Sequence, residues 1–540
     1  MRRLTLTATV AAVLLPLLSP AASATAATTT TTAVAEDPDA VQQVGPGLYF
    51  SDTDTFKIDE SDVPAGSIGR THGVATGGGD LARPQSAPAS RPEMAVFGPG
   101  WQAEFLGGML DRKLDVQSGA IVVTELDGGT TTRYALKSSV SFPEGGGIQR
   151  YESGDGSKIT ETTRWDSAAG AMRTSISETI AMDKGATEAG DDNFSQSNAE
   201  LGLTYSWTKI DGLQSTDTWR VTATGNTAYG ASTVAYDAQG RVSTVKEPAA
   251  GEAPEETLTI TYATSTTATA SSVGDYAGRL KQITLTSGTE APQTVASYGY
   301  DVNGLLRTVA DPSLSSSPAS TYAYDQIGRL TSIDSPRDGG WQLTFASGTA
   351  APTATATDTS RPAGGDPIEG AKGINDPNAT APDPGDFLPG DVSNPQAYPS
   401  YCNDAWKWLY YQRAGCASWV AHYGWRKPLW RKLPSKRYVM GIDYDHCTNA
   451  PDRPTGFDFR PACDMHDYGY GLIGNTYKHY RYYLDRYRKS QVDDVFYHTL
   501  KNWTCNAYNI FVRTVCKRWA FVYRQGVRLG NPKNGANATR

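Results

Sequence analysis

The chain of 540 residues has no cysteine before Cys402 and no glutamate after Glu369. All six cysteines and five of the six histidines lie between residues 402 and 540. Long apolar runs are missing as well, since no segment after the N-terminus approaches the roughly 18 apolar residues of a transmembrane helix. These absences exclude disulfides from the first 400 residues and concentrate the candidates for acid–base chemistry near the C-terminus.

Charge is distributed just as unevenly. From Tyr401 to Arg540 there are 23 lysines and arginines against 10 aspartates, a net charge of +13. The preceding residues carry 26 basic and 47 acidic side chains, a net charge of −21. Because surfaces of opposite charge attract each other, we expect an intramolecular contact between the acidic N-terminal region and the basic C-terminal region.

The N-terminus has the features of a secretory signal peptide. Two arginines precede an apolar run over residues 4–18, and Ala24-Thr25-Ala26 offers a cleavage site of small residues. We therefore predict a signal peptide over residues 1–26, cleaved near Ala26, and an exported, extracellular protein. An even number of cysteines in an exported domain predicts three disulfides, which can pair in 15 ways.

Short β-type runs and glycine-rich turns fill the first half of the chain. Ala120-Ile121-Val122-Val123-Thr124, followed by Asp127-Gly128-Gly129, is typical. We predict a low-complexity segment over residues 27–45 and a β-rich domain over residues 46–215. Residues 347–399 are rich in Ala, Thr, Pro, Asp and Gly and have few large apolar residues, which predicts a disordered linker.

A repeat built on tyrosine and aspartate runs through residues 216–346. Each copy combines a tyrosine that ends a strand with a glycine-containing turn and a return strand, which predicts stacked β-hairpins. Three of the tyrosines, Tyr276, Tyr300 and Tyr324, are 24 residues apart. The copies are Tyr236-Asp237-Ala238-Gln239-Gly240-Arg241, Tyr300-Asp301-Val302-Asn303-Gly304-Leu305, Tyr324-Asp325-Gln326-Ile327-Gly328-Arg329 and the degenerate Asp275-Tyr276-Ala277-Gly278-Arg279.

These repeats resemble the YD repeats of the Rhs family, and Phe97-Gly98-Pro99-Gly100-Trp101 resembles an early segment of such proteins. The resemblance covers residues 90–345 and implies a β-shell around a C-terminal effector. The alternative is a β-rich extracellular domain that encloses nothing.

One segment near the C-terminus concentrates the reactive side chains. In Pro461-Ala462-Cys463-Asp464-Met465-His466-Asp467, proline suits the first turn of a helix. Cys463 and His466 then share one helical face, and Asp467 lies about 100° around the axis from His466. A single helix could therefore anchor a disulfide, present an imidazole base and offer a carboxylate to a metal. This combination indicates hydrolysis.

Four helices are predicted in the C-terminal domain, over residues 400–535. The first runs from about Asn403 to Val420, the second contains His466, the third opens at Ser490, and the fourth runs from about Thr514 to Arg528. The polar loop over residues 443–452 precedes the second helix, and its oxygen donors are those that calcium prefers. Zinc is not expected, because we predict that the cysteines form disulfides.

The C-terminal domain resembles the secreted phospholipase A2 family of bacteria and fungi. By this resemblance, His466 activates a water molecule and Asp493 orients its imidazole. Ca²⁺ would be bound by the side chains of Asp445 and Asp467 and by the main-chain carbonyl of His446. The implied disulfides are Cys447–Cys463, Cys505–Cys516 and Cys402–Cys416. The resemblance rests on Asp445-His446-Cys447, residues 454–459, Ala462-Cys463, His466-Asp467, Gly469-Tyr470, Val492-Asp493 and the pair Cys505 and Cys516.

Some assignments stay open at this point. Asp494 is a second candidate for the orienting carboxylate, and Asp493 also fits a capping box that starts at Ser490. Three further histidines, His422, His479 and His498, match no pattern and are predicted to lie on the surface. The run over residues 477–483 interleaves cations and aromatics, which suits either a solvated face or an anionic bilayer.

The sequence thus predicts a multidomain protein: a β-rich, YD-repeat-like N-terminal region and a small, all-α, disulfide-bonded, phospholipase A2-like domain. The expected partner is a phospholipid substrate at a membrane surface, and no nucleic acid is expected. A secreted nuclease toxin is one alternative, because the basic C-terminal region suits phosphate. A non-catalytic surface-binding repeat protein is the other.

Overall fold

The computed structural model describes most of the chain between residues 41 and 529. Several predicted features lie outside the described residues: the signal peptide, the disulfide Cys402–Cys416, Asp445, His422 and His479. None of the described helices has the length and apolar composition of a membrane span. The described residues are 41–63, 67–76, 91–106, 108–126, 130–183, 197–211, 213, 217–251, 254–312, 319–335, 339–346, 350–357, 405–410, 429–442, 446–448, 450–473 and 486–529.

The first strands form a small antiparallel sheet, with five strands in the part of the chain that is described. Its core includes Phe56, Ile58 and Trp101, which are buried. The first of its strands begins within the segment predicted to be of low complexity, because Val41 and Val44 both supply buried side chains. The strands are Val41–Val44, Gly47–Phe50, Thr55–Ser61, Ile68–Ala75 and Trp101–Phe105.

A larger antiparallel sheet follows, in which each strand pairs with the next along the chain. Over the described ranges it has eighteen strands and closes into a barrel. Because successive side chains of a strand point to opposite faces, alternate residues reach the core, as Ile176 does. The strands are Arg112–Gln117, Ala120–Glu125, Thr131–Ser141, Gly147–Glu152, Lys158–Asp166, Ala171–Thr179, Thr204–Lys209, Trp219–Asn226, Gly230–Tyr236, Val242–Glu247, Glu256–Tyr262, Leu280–Ser287, Gln293–Tyr300, Leu306–Ala310, Ser320–Tyr324, Leu330–Ser335, Gly339–Thr344 and Thr353–Ala356.

The repeats form hairpins at the predicted positions. In the first, the carboxylate of Asp237 accepts hydrogen bonds from the main-chain N–H groups of Gln239 (3.0 Å) and Arg241 (2.9 Å). The Arg241 guanidinium lies 2.7 Å from the same carboxylate, and Gly240 takes a φ of +78°, which favours glycine. Asp301 and Asp325 do the same in their own turns.

The repeat tyrosines connect neighbouring hairpins. The hydroxyl of Tyr300 donates to the carbonyl of Leu280 at 2.8 Å, and that of Tyr324 donates to Leu306 at 2.7 Å. Tyr236 bonds Val221 in the same way. The repeat therefore supplies both the turn and the contact that fixes each strand against the next.

The large sheet crosses two of the predicted domain boundaries. The strands Thr204–Lys209 and Trp219–Asn226, on either side of the boundary predicted at residues 215 and 216, pair with each other in this sheet. Its last strand, Thr353–Ala356, lies inside the predicted linker and pairs with Gly339–Thr344. This strand was missed because strand pairing uses main-chain hydrogen bonds, so that small residues such as Ala354 suffice.

The C-terminal domain is mostly helical but not all-α, because Leu429–Lys432 and Tyr438–Gly441 form a hairpin. The prediction that the third helix opens at Ser490 was wrong: the helix begins at Arg486, so Ser490 does not cap it. Beyond it, residues 499–507 continue in tighter and wider turns. The helices are Asn198–Leu201 in the N-terminal region, then Ala405–Leu409, Arg460–Ile473, Arg486–His498 and Ile510–Leu529, with a π-helix at Thr499–Thr504 and 3₁₀ turns at Pro92–Met94, Pro454–Gly456 and Cys505–Ala507.

The last helix, Ile510–Leu529, packs against the sheets through buried ion pairs. The carboxylate of Glu247 forms ion pairs with Arg524 at 2.7 Å and with Arg528 at 2.8 Å. It also accepts a hydrogen bond of 2.6 Å from the Ser232 hydroxyl. We call Glu247, Arg524 and Arg528 the Glu247 cluster. Burial raises the pKa of Glu247, but the two guanidinium groups outweigh it and hold the pKa at about 2. Further contacts between the domains are Arg518 with Glu125, Lys501 with Glu104, and Gln525 with Asn226.

Candidate active site

Two disulfides within the described residues fix the helices of the C-terminal domain. Cys447–Cys463 joins the loop before the active-site helix, Arg460–Ile473, to that helix, with the two Cα atoms 5.0 Å apart. Cys505–Cys516 joins the turn before the last helix to its second turn. Two of the three pairings that the resemblance implied are therefore present, and the third, Cys402–Cys416, lies outside the described residues. The loop and the side chains of the active-site helix cannot separate while the first bridge is intact.

His466 and Asp493 meet in the interior of this domain. His466 Nε2 lies 2.9 Å from Asp493 Oδ1 on the neighbouring helix, Arg486–His498. The imidazole is 6% exposed, and its ring packs against the rings of Tyr470 (centroids 4.0 Å apart) and Phe496 (4.6 Å). With Nε2 held by a carboxylate, Nδ1 is the ring nitrogen that can accept a proton. A histidine oriented in this way can activate water for hydrolysis.

Asp493 is held by two further donors. The Tyr470 hydroxyl donates to Oδ1 at 2.7 Å, and the Lys489 ammonium donates to Oδ2 at 2.6 Å. Burial would raise the pKa of Asp493, but the Lys489 charge and the hydrogen bond from His466 outweigh it, and the pKa is lowered. Burial lowers the pKa of His466, whereas its bond to Asp493 opposes that shift. The dyad thus combines an ionised carboxylate with a neutral imidazole.

Asp494 does not face the histidine. Its Oδ1 accepts a hydrogen bond of 2.7 Å from the Ser61 hydroxyl, on the third strand of the small sheet. Consecutive residues of a helix point about 100° apart, so only one of the two aspartates can reach His466. Of the two candidates for the orienting carboxylate, the geometry therefore favours Asp493.

The His446 side chain is turned toward the active-site helix. Its Nδ1 lies 2.7 Å from Asp464 Oδ1, and Arg431 Nε lies 2.6 Å from Asp464 Oδ2. His446 has a φ of +54°, and its carbonyl accepts a bond of 3.2 Å from the Thr448 N–H. The Asp464 carboxylate therefore occupies Nδ1 of the His446 ring.

The candidate calcium ligands lie on both sides of the Cys447–Cys463 bridge. Asp467 follows His466 on the active-site helix and is half-buried, whereas Asp445 lies outside the described residues. Among the side chains that the structure describes, no group of three or more His, Cys, Asp or Glu could hold a metal. The donors present, a carboxylate and a main-chain carbonyl, are oxygen atoms of the kind that calcium takes. Their chemistry fits this ion.

His498 is a correction to the sequence analysis, which predicted it on the surface. The ring is 6% exposed and packs edge-on against Trp406 and Trp503, with centroids 4.8 and 5.3 Å away. Its Nδ1 lies 3.1 Å from Asn502 Nδ2. The error arose because a histidine that matches no motif was assumed to be solvated, although its helix buries it.

Sequence reasoning assigned no role to Tyr470 or Lys489, which both bond Asp493. Each lies one helical turn from a member of the dyad: Tyr470 is four residues after His466, and Lys489 is four residues before Asp493. Because residues four apart share a helical face, this spacing was the available signal. The spacing indicates a role for these two residues only after His466 and Asp493 have been identified as the dyad.

Comparisons with known proteins agree with the geometry of the C-terminal domain. Residues 426–530 match the family model of the prokaryotic phospholipase A2. An 87-residue stretch, 16% of this chain, is 37% identical to a protein named "Secretory phospholipase A2" from the fungus Arthroderma benhamiae. The chain spans 55% of the length of this curated relative. The C-terminal domain is therefore similar to phospholipases A2, and the large β-rich region lies outside both matches.

Proposed function

We propose that the C-terminal domain is a calcium-dependent phospholipase A2 that hydrolyses the sn-2 ester of glycerophospholipids. The observation that carries the proposal is the buried contact of 2.9 Å between His466 Nε2 and Asp493 Oδ1. It lies inside the segment that matches the phospholipase A2 family model. Export is part of the proposal, because disulfides such as Cys447–Cys463 persist in oxidising compartments.

The proton path follows from the dyad. Nδ1 of His466 takes a proton from water as the water oxygen attacks the ester carbonyl, while Nε2 remains hydrogen-bonded to Asp493. The Asp493 carboxylate stabilises the imidazolium that forms. When the bond between the carbonyl carbon and the glycerol oxygen breaks, His466 returns the proton to the leaving alkoxide. The products are a fatty acid and a lysophospholipid.

Asp445, Asp467 and the His446 carbonyl are the groups that would hold calcium. When bound, the ion supplies positive charge for the oxyanion of the reaction. In support, Asp467 follows His466 on the active-site helix, and the Cys447–Cys463 disulfide ties the loop that carries His446 to that helix.

Replacing the base tests the assignment of His466. His466→Asn should lower fatty-acid release from phospholipid vesicles by at least about 10²-fold, because general-base catalysis is lost. His498→Asn is the matched control, since it changes a buried histidine that does not touch the dyad, and its turnover number should be retained. Thermal melting of both variants checks folding. A His466→Asn enzyme with a tenth of the wild-type rate would contradict the assignment, and plasmid cleavage without fatty-acid release would favour the nuclease alternative.

Removing calcium tests the metal ligands. Fatty-acid release should stop in excess chelator and return at roughly 10⁻⁴–10⁻³ M Ca²⁺, the range of extracellular sites. Asp445→Asn should raise the calcium concentration needed, because one charged ligand is lost. Full turnover of Asp445→Asn in chelator would exclude a metal site in this loop.

We further propose that the β-rich region keeps the enzyme latent until it is released, with cleavage in the linker as one route. The last helix is held by carboxylates of the large sheet, above all Glu247, which is 2% exposed. Removing one member of a buried ion pair costs about 3–5 kcal/mol, because the remaining charge is left without compensation. Salt screens buried pairs less than exposed ones, so latency should persist at physiological ionic strength.

Weakening the Glu247 cluster should therefore activate the full-length chain. Glu247→Gln should release fatty acid from anionic vesicles at least about tenfold faster than the wild type, given that about 1.4 kcal/mol corresponds to a factor of ten. Glu255→Gln is the matched control, because Glu255 makes only an exposed ion pair with Lys246. A truncated chain beginning at Ala397 gives the fully released rate. Equal rates for the wild type, Glu247→Gln and the truncated chain would rule out latency.

A further inference from the structure

Lys489 connects the orienting carboxylate to the end of the last helix. Its Nζ lies 2.6 Å from Asp493 Oδ2 and 2.9 Å from the carbonyl oxygen of Val527. The side chain is largely buried, with 18% of it exposed. A single ammonium group therefore touches both the carboxylate that orients His466 and a helix that belongs to a different part of the domain.

The acceptors on the far side are suited to a cation. The last four carbonyls of a helix have no hydrogen-bond partner within that helix, and the helix dipole makes this end negative. In the helix Ile510–Leu529, the carbonyl of Val527 accepts from Lys489 and also from the Tyr470 hydroxyl at 3.1 Å. The carbonyl of Arg528 lies 3.5 Å from Lys489 Nζ. Three helices thus converge on one ammonium group.

We infer that Lys489 is a positioning residue for the reaction, an inference that rests on the proposed phospholipase activity. A carboxylate can rotate about its Cβ–Cγ bond. With Oδ2 of Asp493 bound to Lys489, Oδ1 is directed at His466 Nε2 and at the Tyr470 hydroxyl. Lys489 acts on His466 only through Asp493.

Two effects of removing Lys489 oppose each other. Loss of the positive charge would let Asp493 stabilise the imidazolium more strongly, which would raise the rate. Loss of the bond to Oδ2 would let the carboxylate turn and the imidazole tilt, which would lower the rate. Because a displacement of about 1 Å at a catalytic group can cost 10²-fold, we expect the loss of orientation to dominate.

The kinetic test uses the full-length chain with anionic phospholipid vesicles and calcium. Lys489→Met keeps the length of the side chain and removes the charge, and it should lower kcat at least about tenfold while KM changes less than about twofold. Lys489→Arg keeps a cation and should restore most of kcat. Lys432→Met, at an exposed lysine in the hairpin of the same domain, is the matched control and should behave as the wild type.

A second readout does not need turnover. In protein labelled with ¹⁵N-histidine, the imidazole N–H of His466, assigned by its loss in His466→Asn, should give a sharp downfield signal in the wild type and in Lys489→Arg. The signal should broaden or shift upfield in Lys489→Met. If Lys489→Met does not fold, Lys489→Gln is measured in the same way, with the same expectation.

The two proposals fail in different ways. If neither the wild-type chain nor its Glu247→Gln variant releases fatty acid, but the His466 signal responds to Lys489→Met as expected, the proposed function is contradicted and the positioning contact remains in place. A Lys489→Met enzyme with kcat within about twofold of the wild type and an unchanged signal overturns the positioning role. Lys489→Arg as inactive as Lys489→Met overturns it as well, because a cation at this position would then not suffice.

Discussion

The arrangement of the two regions depends on the buried charge of Glu247. Its carboxylate binds Arg524 and Arg528 on the last helix, and all three side chains are almost completely removed from solvent. Burying three ionic groups is costly unless each is compensated. In the observed register of the helix against the sheet, both guanidinium groups reach the same carboxylate. That register also places the Val527 carbonyl, near the end of the helix, beside Lys489.

The end of the last helix is where the Glu247 cluster meets the dyad. Arg528 directs its guanidinium to Glu247, while the carbonyl of the preceding residue, Val527, binds Lys489 and Tyr470. Both of these side chains bind Asp493. Within this one turn of helix, the side chain of Arg528 contacts the sheet. The main-chain carbonyl of Val527 binds the two side chains that hold the orienting carboxylate. In the proposed function, latency would depend on the Arg528 side chain and catalysis on the Val527 carbonyl, so that no single group would serve both.

Three buried histidines show that burial alone does not define a catalytic group. His72 in the small sheet packs against Trp101 and Tyr324, and burial lowers its pKa to about 3. His498 packs between two tryptophans. In His466, by comparison, Nε2 lies 2.9 Å from Asp493 Oδ1. A carboxylate partner is what allows an imidazole to be oriented and its protonated form to be stabilised.

The sequence was most informative where function depends on local spacing. Cys463, His466 and Asp467 fall on one helix, and the repeats form hairpins, because both patterns concern residues within a few positions of each other. Contacts between distant segments could not be read in this way. The bond from Ser61 to Asp494 joins residues 433 positions apart, and no periodicity in the sequence indicates it.

The predictions that were wrong or missing concern residues whose surroundings come from distant parts of the sequence. His498 was expected on the surface because its burial depends on Trp406, which comes from another helix. The strand Thr353–Ala356 was missed because its place is decided by the strand that it pairs with, Gly339–Thr344. Lys489 had the right spacing from Asp493, but its significance depends on Val527, which comes from the far end of the domain.

A double-mutant cycle between Glu247 and Arg524 tests most directly whether this buried charge holds the enzyme domain against the sheet. Amide hydrogen exchange of the helix Ile510–Leu529 is measured in the full-length wild type, Glu247→Gln, Arg524→Gln and the double variant. The account predicts a coupling of at least about 1.5 kcal/mol in the free energy of opening, as for close charge pairs at interfaces. Effects that add within about 0.5 kcal/mol, as for independent sites, would contradict it.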